Sequence, residues 1–197
     1  MPKQTKTSRR NIKKLREILI DSRFDLWAID EIHFQQHGSR CRMWVAPEIK
    51  DPVLMHEPTR RKIGYFGAVR LRDGKFVYRR EAGKFNAESF GKFLKQHRKA
   101  SCQSGKKVAV IIDNARYHHA TMLKEYLENC SDRFKLIFLP PYSPDLNPIE
   151  RVWKMTRRCC THNKYFSSLE SLTSAVETKF DEWAGRSQIL RKLCAIY

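Results

Sequence analysis

The chain has 197 residues, a formal net charge of +18 and a pI near 9.9. Its hydrophobic share of 41% and aromatic share of 11% are those of a folded protein with a real core. Such an excess of Lys and Arg calls for a polyanionic partner, nucleic acid before an acidic membrane surface. No apolar run approaches a spanning helix, and the opening MPKQTKTSRR lacks the apolar centre of a signal peptide. A cytoplasmic, nucleoid-associated protein without a membrane partner is expected. Six cysteines (Cys41, Cys102, Cys130, Cys159, Cys160, Cys194) form no C-x-x-C pair and read as reduced thiols. Cys159, Cys160 and His162 lack a second Cys/His pair to complete a zinc site.

Residues 1–22 read as a basic arm, with seven Lys/Arg and no acid between Met1 and Arg16 and a short helix around Asn11 to Ile20. Residues 23–197 read as one domain. Phe24 to Phe34 (FDLWAIDEIHF) is a buried strand with Asp30 near its middle. An acid in an otherwise apolar strand costs stability unless it binds something positive. Alternation puts Asp30 and Glu31 on opposite faces, so both cannot serve one site.

Arg40 to Trp44 reads as a short strand or its approach, and Pro47 to Arg61 as a loop. Lys62 to Leu71 and Lys75 to Glu81 read as antiparallel strands around an Asp73-Gly74 turn. Asn86 caps a helix to about Lys99 with Phe90, Phe93, Leu94 and, at the edge of the stripe, His97. Lys107 to Ile112 (KVAVII) has the composition of a strand covered on both faces, and it ends in Asp113-Asn114. Polar residues at that edge of an α/β sheet are a usual place for a site.

His119 to Cys130 reads as a helix with Met122, Leu123, Tyr126 and Leu127 inside, and Phe134 to Leu139 as a strand. A proline loop (Pro140, Pro141, Pro144) then leads to a helix opening at Pro148, with Asn147 as N-cap and Glu150 completing a capping box. Glu150 can be a cap, or a carboxylate held for a metal. Ile149, Val152, Trp153 and Thr156 share one side of that helix, and Glu150, Lys154, Arg157 and Arg158 another. The basic stripe can be a salt-bridged surface or a phosphate contact. Ser167 and Glu170 predict a capping box for a helix to about Trp183, and Ser187 to Tyr197 one more short helix.

Three carboxylates, Asp30, Asp113 and Glu150, thus come from separated parts of one α/β chain. They suit Mg²⁺ or Mn²⁺, hard cations that take oxygen ligands. Two such ions can activate an attacking oxygen and stabilise the leaving one in phosphoryl transfer. A basic protein with that site has the DNA or RNA backbone as its substrate.

LWAIDEIHF, VIIDNARYHHA and LPPYSPDLNPIERVWK resemble the three catalytic motifs of DDE transposases, in the bacterial insertion-sequence branch of the mariner superfamily. The resemblance runs from about Phe24 to Phe180. It implies an RNase H-like α/β fold, a mixed five-stranded sheet flanked by helices. It also implies a metal triad of Asp30, Asp113 and Glu150, with Asn114 and His118 beside the site and Lys154, Arg157 and Arg158 on DNA. His119 has no counterpart. Arg42, Trp44 and Pro47 resemble a loop of dimer contacts, although Ala46 to Pro58 lacks the glycine expected there.

By the same resemblance the activity is metal-dependent cleavage of transposon ends and strand transfer into target DNA at TA, with a homodimer expected. Relatives carry helix-turn-helix modules ahead of the catalytic core, so a split gene with a separately encoded helix-turn-helix protein is expected. The alternatives are an inactive DNA-binding relic or accessory protein, and an RNase H-like nuclease acting on hybrids.

Overall fold

Strand β1 (Phe24–Gln35) is the centre of the molecule, and the other strands are placed by it. The computed structural model describes residues 17, 20–50, 53, 55, 58–102, 105–140 and 144–196. On one side of β1 lies β2 (Lys62–Arg70), antiparallel, and beyond it β3 (Phe76–Glu81), antiparallel again. On the other side β4 (Lys107–Ile112) and β5 (Phe134–Phe138) run parallel to β1. The order β3-β2-β1-β4-β5 is the mixed five-stranded sheet expected.

Local chemistry explains the connections. The β2–β3 turn needs Gly74 at φ +70°, where any Cβ would stand 2.1 Å from the Ser187 carbonyl oxygen. Parallel strands need crossovers. The β3–β4 crossover is α1 (Ala87–Ser101), capped by Asn86, whose side chain accepts from Ser89 N–H. The β4–β5 crossover is a 3₁₀ turn (Arg116–His119) and α2 (Thr121–Glu128). Then follow α3 (Ile149–Thr156), a π turn (Arg157–Thr161), α4 (Leu169–Glu182) and α5 (Gln188–Leu193).

Alternation along β1 divides the core. Leu26, Ala28, Ile32 and Phe34 face Ile149, Val152, Trp153, Val176 and Phe180. Trp27 and Ile29 face Phe90, Phe93, Leu94 and Val110. Asp30 therefore shares the face covered by α3 and α4, and Glu31 the face covered by α1 and α2.

Several expectations are corrected. Arg40 to Trp44 forms no strand; only Ser39 bridges to His162, and Trp44 is fully exposed. The expected His119–Cys130 helix is shorter. Met122 is 58% exposed because α2 buries a narrow stripe through Leu123, its neighbour about 100° round the helix. The α4 capping box is Ser168 with Ser171, one residue later than predicted, because Ser171 Oγ reaches back to the Ser168 N–H. His97 is not at a stripe edge: it is fully buried, edge-on to Trp27 at 4.6 Å and near Phe134, and burial lowers its pKa to about 3. The arm at residues 1–16 and the loop at 141–143 lie outside the described residues.

Candidate metal-binding acidic site

Asp30 lies on β1 just past the end of its pairing with β4, and it is still paired with β2 on the other side. The last paired position is Ala28 with Ile111, so Asp30 and Asp113 each follow that pair by two residues along their own segments. Asp30 Oδ2 accepts from the Trp153 indole N–H at 3.0 Å. Burial, then the charges of Glu31 and Glu150, push its pKa up to about 8. Among the described residues no Lys or Arg forms an ion pair with Asp30, Glu31 or Glu150. A half-buried carboxylate near two further acids, with a neutral indole as its side-chain donor, is a group short of a cation.

The indole reaches Asp30 because of a glycine. Gly67 is the direct β2 partner of Asp30, and a Cβ there would stand 2.3 Å from Trp153 Cη2. The large ring of α3 thus lies flat on β2 and turns its nitrogen to the acid. The sequence places Trp153 on one side of the helix with Ile149, Val152 and Thr156; that side is buried, with Trp153 at 1% exposure, but the spacing gives no sign of its polar end.

Asp113 has different partners. Its carboxylate lies 3.0 Å from His118 Nδ1, off the line of a good hydrogen bond, and accepts from Ala115 N–H at 3.1 Å. His118 holds its pKa below the usual carboxylate range. The Asn114 amide donates to the Leu139 carbonyl at 2.7 Å, tying the loop after β4 to the end of β5. His119 Nε2 meets Asn114 Oδ1 at 3.0 Å, and its ring stacks on Phe138.

Glu31, on the other face, is close to Tyr117, His118 and Asp113, and burial raises its pKa. The alternation rule was correct about direction, yet Glu31 reaches the Asp113 side of the same strand ends. Among the described residues no three His, Cys, Asp or Glu side chains converge as a ready metal cage. Glu150 is near enough for its charge to raise the Asp30 pKa, whereas the Asp113 side chain, 48% exposed, lies against His118.

The start of α3 also differs from expectation. Asn147 is not the N-cap: Pro148 occupies that position without a side-chain cap, and the Glu150 N–H bonds the Asn147 carbonyl at 3.2 Å. The buried Asn147 amide instead donates to the Ile29 carbonyl at 3.0 Å. Ile29 lies one residue beyond the last β1–β4 pair, so its carbonyl needs a partner. This bond pins the helix carrying Glu150 to the strand carrying Asp30.

Lys154 and Arg158 are exposed, and Arg157 is half-buried. Arg157 lines a cleft of about 250 Å³ with His33, Gln35, Ser39 and Thr161. The π turn there, a feature frequent at functional sites, begins at Arg157, whereas Lys154 still shares the regular helix with Glu150.

An unfolded Asp ionises near pH 4, while folded Asp30 ionises at about 8. Between these values the folded protein holds more protons, so the metal-free protein loses stability as pH rises through that window. Asp30→Asn is expected to make this slope shallower. Chemical denaturation with chelator at pH 5 and pH 8 measures it; an unchanged slope in the variant contradicts the assignment.

These features define a class before any relative is considered: a carboxylate site at the parallel-strand ends of a basic α/β domain. The chain belongs to the DDE superfamily endonuclease family, which it matches over residues 25–173. That family implies dependence on a divalent metal. The all-oxygen donor set and the uncompensated Asp30 fit such an ion.

The chain is similar to the uncharacterized protein y4pE/y4sA of Sinorhizobium fredii, 34% identical over 74 residues, covering 38% of this chain and 51% of that protein. It is also similar to the insertion element IS630 uncharacterized 39 kDa protein of Shigella sonnei, 31% identical over 78 residues, covering 40% and 22%. Its fold is similar to the solved Mos1 transposase paired-end complex with left transposon end, at TM-score 0.71 and 18% identity, over 98% of this chain and 59% of that one. The Mos1 transposase catalytic domain solved with raltegravir and Mg matches at TM-score 0.66 and 16% identity, over 98% and 89%. The matched part of this chain spans about half or less of those curated relatives. The solved neighbours establish the RNase H-like fold.

Proposed function

We propose that this chain is the catalytic domain of a DNA transposase, cutting element ends and joining the freed 3′-hydroxyl to target DNA, at TA. The observation that carries this reading is Asp30, a half-buried carboxylate that feels the charge of Glu150 and has no cation of its own, in a member of the DDE endonuclease family. Asp30, Asp113 and Glu150 would hold two Mg²⁺ or Mn²⁺ ions. When bound, such ions activate the attacking oxygen and stabilise the leaving oxygen of an in-line displacement.

The chain's own residues do the positioning. Trp153 orients Asp30, Asn147 sets the α3 start against β1, and Asn114 holds the loop that presents Asp113. His118 keeps the Asp113 carboxyl ionised and therefore ready to exchange the imidazole for a metal. Lys154, Arg157 and Arg158 lie beyond Glu150 along the same segment and hold the phosphate backbone.

The test is duplex DNA carrying the element ends, incubated with Mg²⁺, Mn²⁺ or chelator. Nicks with 3′-hydroxyl ends that require the metal are expected. Undiminished cutting in chelator, or preference for an RNA–DNA hybrid, contradicts the reading. Salt-sensitive binding without metal-dependent turnover would establish the relic or accessory role instead.

The excursion after β1 supports a homodimer. Met43, Trp44, Ile49, Val53 and Met55 are all more than half exposed, and Trp44 is fully so. Exposed apolar side chains gathered in one excursion mark a contact surface, and a second copy is the proposed occupant. Trp44→Ser is expected to weaken self-association at least tenfold by sedimentation; an unchanged dimer fraction, or a wild-type monomer, removes this part of the proposal.

A further inference from the structure

Away from the acids, at the opposite end of the sheet, four cations line one cleft. Lys95, Arg98 and Lys99 come from the last turns of α1, and Arg133 from the turn before β5. Cys102 and Tyr126 complete the lining of a space of about 450 Å³. Strand pairing fixes its place: the Arg133 carbonyl accepts from Val108 N–H at the start of β4, whereas Asp113 follows that strand's end. At about 3.3 Å per residue, the two ends are roughly 17 Å apart.

No acid lines this cleft. Among the described residues none of its four cations forms an ion pair. Neutral groups hold them instead. Arg133 Nη2 donates to the Gly105 carbonyl at 2.8 Å. Lys95 Nζ and the Arg98 guanidinium lie 5.8 and 5.7 Å from the centre of the Tyr126 ring. The α1 dipole favours Arg98 and Lys99, which sit in its last turn. It does not account for Lys95, one turn earlier, or for Arg133, which belongs to another segment. Like charges gathered without counter-ions repel, and a polyanion relieves that repulsion.

We propose that this cleft is a second nucleic-acid site, which takes the phosphate backbone of duplex DNA on the side of the domain away from the acids. Two features select backbone over bases. Tyr126, the one aromatic side chain in the lining, already carries two cations at its ring and offers no free platform for stacking an unpaired base. The lining also holds no amide or carboxylate for an adenine or cytosine edge, and the two cations at the Tyr126 ring are not set out as a fork for guanine. The site is therefore sequence-independent, and it rests on charge and shape rather than on the acidic triad.

The experiment measures binding of the whole chain to a 30-base-pair duplex by fluorescence anisotropy, with chelator present so that cleavage is silent. Lys95→Gln combined with Arg98→Gln is expected to weaken binding about tenfold in low salt. The slope of log affinity against log salt should become shallower by about 2, since each lost phosphate contact contributes about 0.9. Lys95→Arg should bind like the wild type, and matched thermal melts exclude misfolding as the cause. Unchanged affinity and slope in the double variant overturn the proposal. Loss of tripolyphosphate binding with an unchanged DNA slope overturns the nucleic-acid assignment. Because no metal or turnover enters the readout, a chain without nicking activity can still pass, so the two readings fail separately.

Discussion

Asp113→Asn is expected to lower the single-turnover rate of metal-dependent nicking about a thousandfold while leaving the fold in place. That factor corresponds to about 4 kcal/mol of barrier, the scale of charge stabilisation that a bound metal supplies. The substitution is nearly isosteric, and the amide oxygen can still accept from Ala115 N–H, as Asp113 does at 3.1 Å. What disappears is the negative charge beside His118. The His118 contact lowers the Asp113 pKa, so it contributes stability above the unfolded value that is lost as pH falls through the folded one. A small loss of Tm near neutral pH is therefore expected, and a smaller one in acid. The decisive comparison is nicking by variant and wild type at saturating Mg²⁺, with melts run in parallel. Retained nicking would show that Asp113 is not a ligand and that the site lies elsewhere.

Gly67→Ala should damage stability and the acidic site together. The new Cβ would stand 2.3 Å from Trp153 Cη2 and 3.0 Å from Cζ2, both parts of a rigid ring. The indole has nowhere to retreat: Phe76 and Phe180 lie against it with ring centres 6.2 and 6.1 Å away. Overpacking of this kind costs about 1–3 kcal/mol. It also moves the indole N–H from Asp30, so activity should fall further than the melt alone explains.

Trp153→Phe separates the two effects, because it keeps an aromatic ring and removes the donor. The indole N–H favours the ionised carboxylate. Losing it should raise the Asp30 pKa further, and more Mn²⁺ or a higher pH should be needed for half-maximal nicking. A Trp153→Phe enzyme with unaltered metal and pH dependence would reduce the indole to a packing role.

Much of this architecture is legible without coordinates, for local reasons. KVAVII announces a covered strand because a β-branched run suits little else, and Asn86 and Ser89 begin α1 by satisfying orphan N–H groups within four residues. Gly74 marks the β2–β3 turn through its own backbone preference. The long motif ending in Glu150 and Trp153 carries the family resemblance, and the family match over residues 25–173 agrees with it.

Other features depend on partners far away in the chain. Asn147 looks like a helix cap from its neighbours, but its amide is claimed by a carbonyl 118 residues earlier. Trp153 reads as a core residue until a donor is seen facing Asp30 across 123 positions, over a glycine that belongs to a third segment. Glu31 is directed away from Asp30 as alternation demands, yet the loop after β4 curls round to meet it.

Strand periods, caps and turn residues were thus set by the sequence alone, since each is decided by energies between near neighbours. Which acids meet, and which polar group orients them, was decided only in three dimensions. Burial there leaves each donor and acceptor to find whatever partner the packed sheet and helices bring within reach.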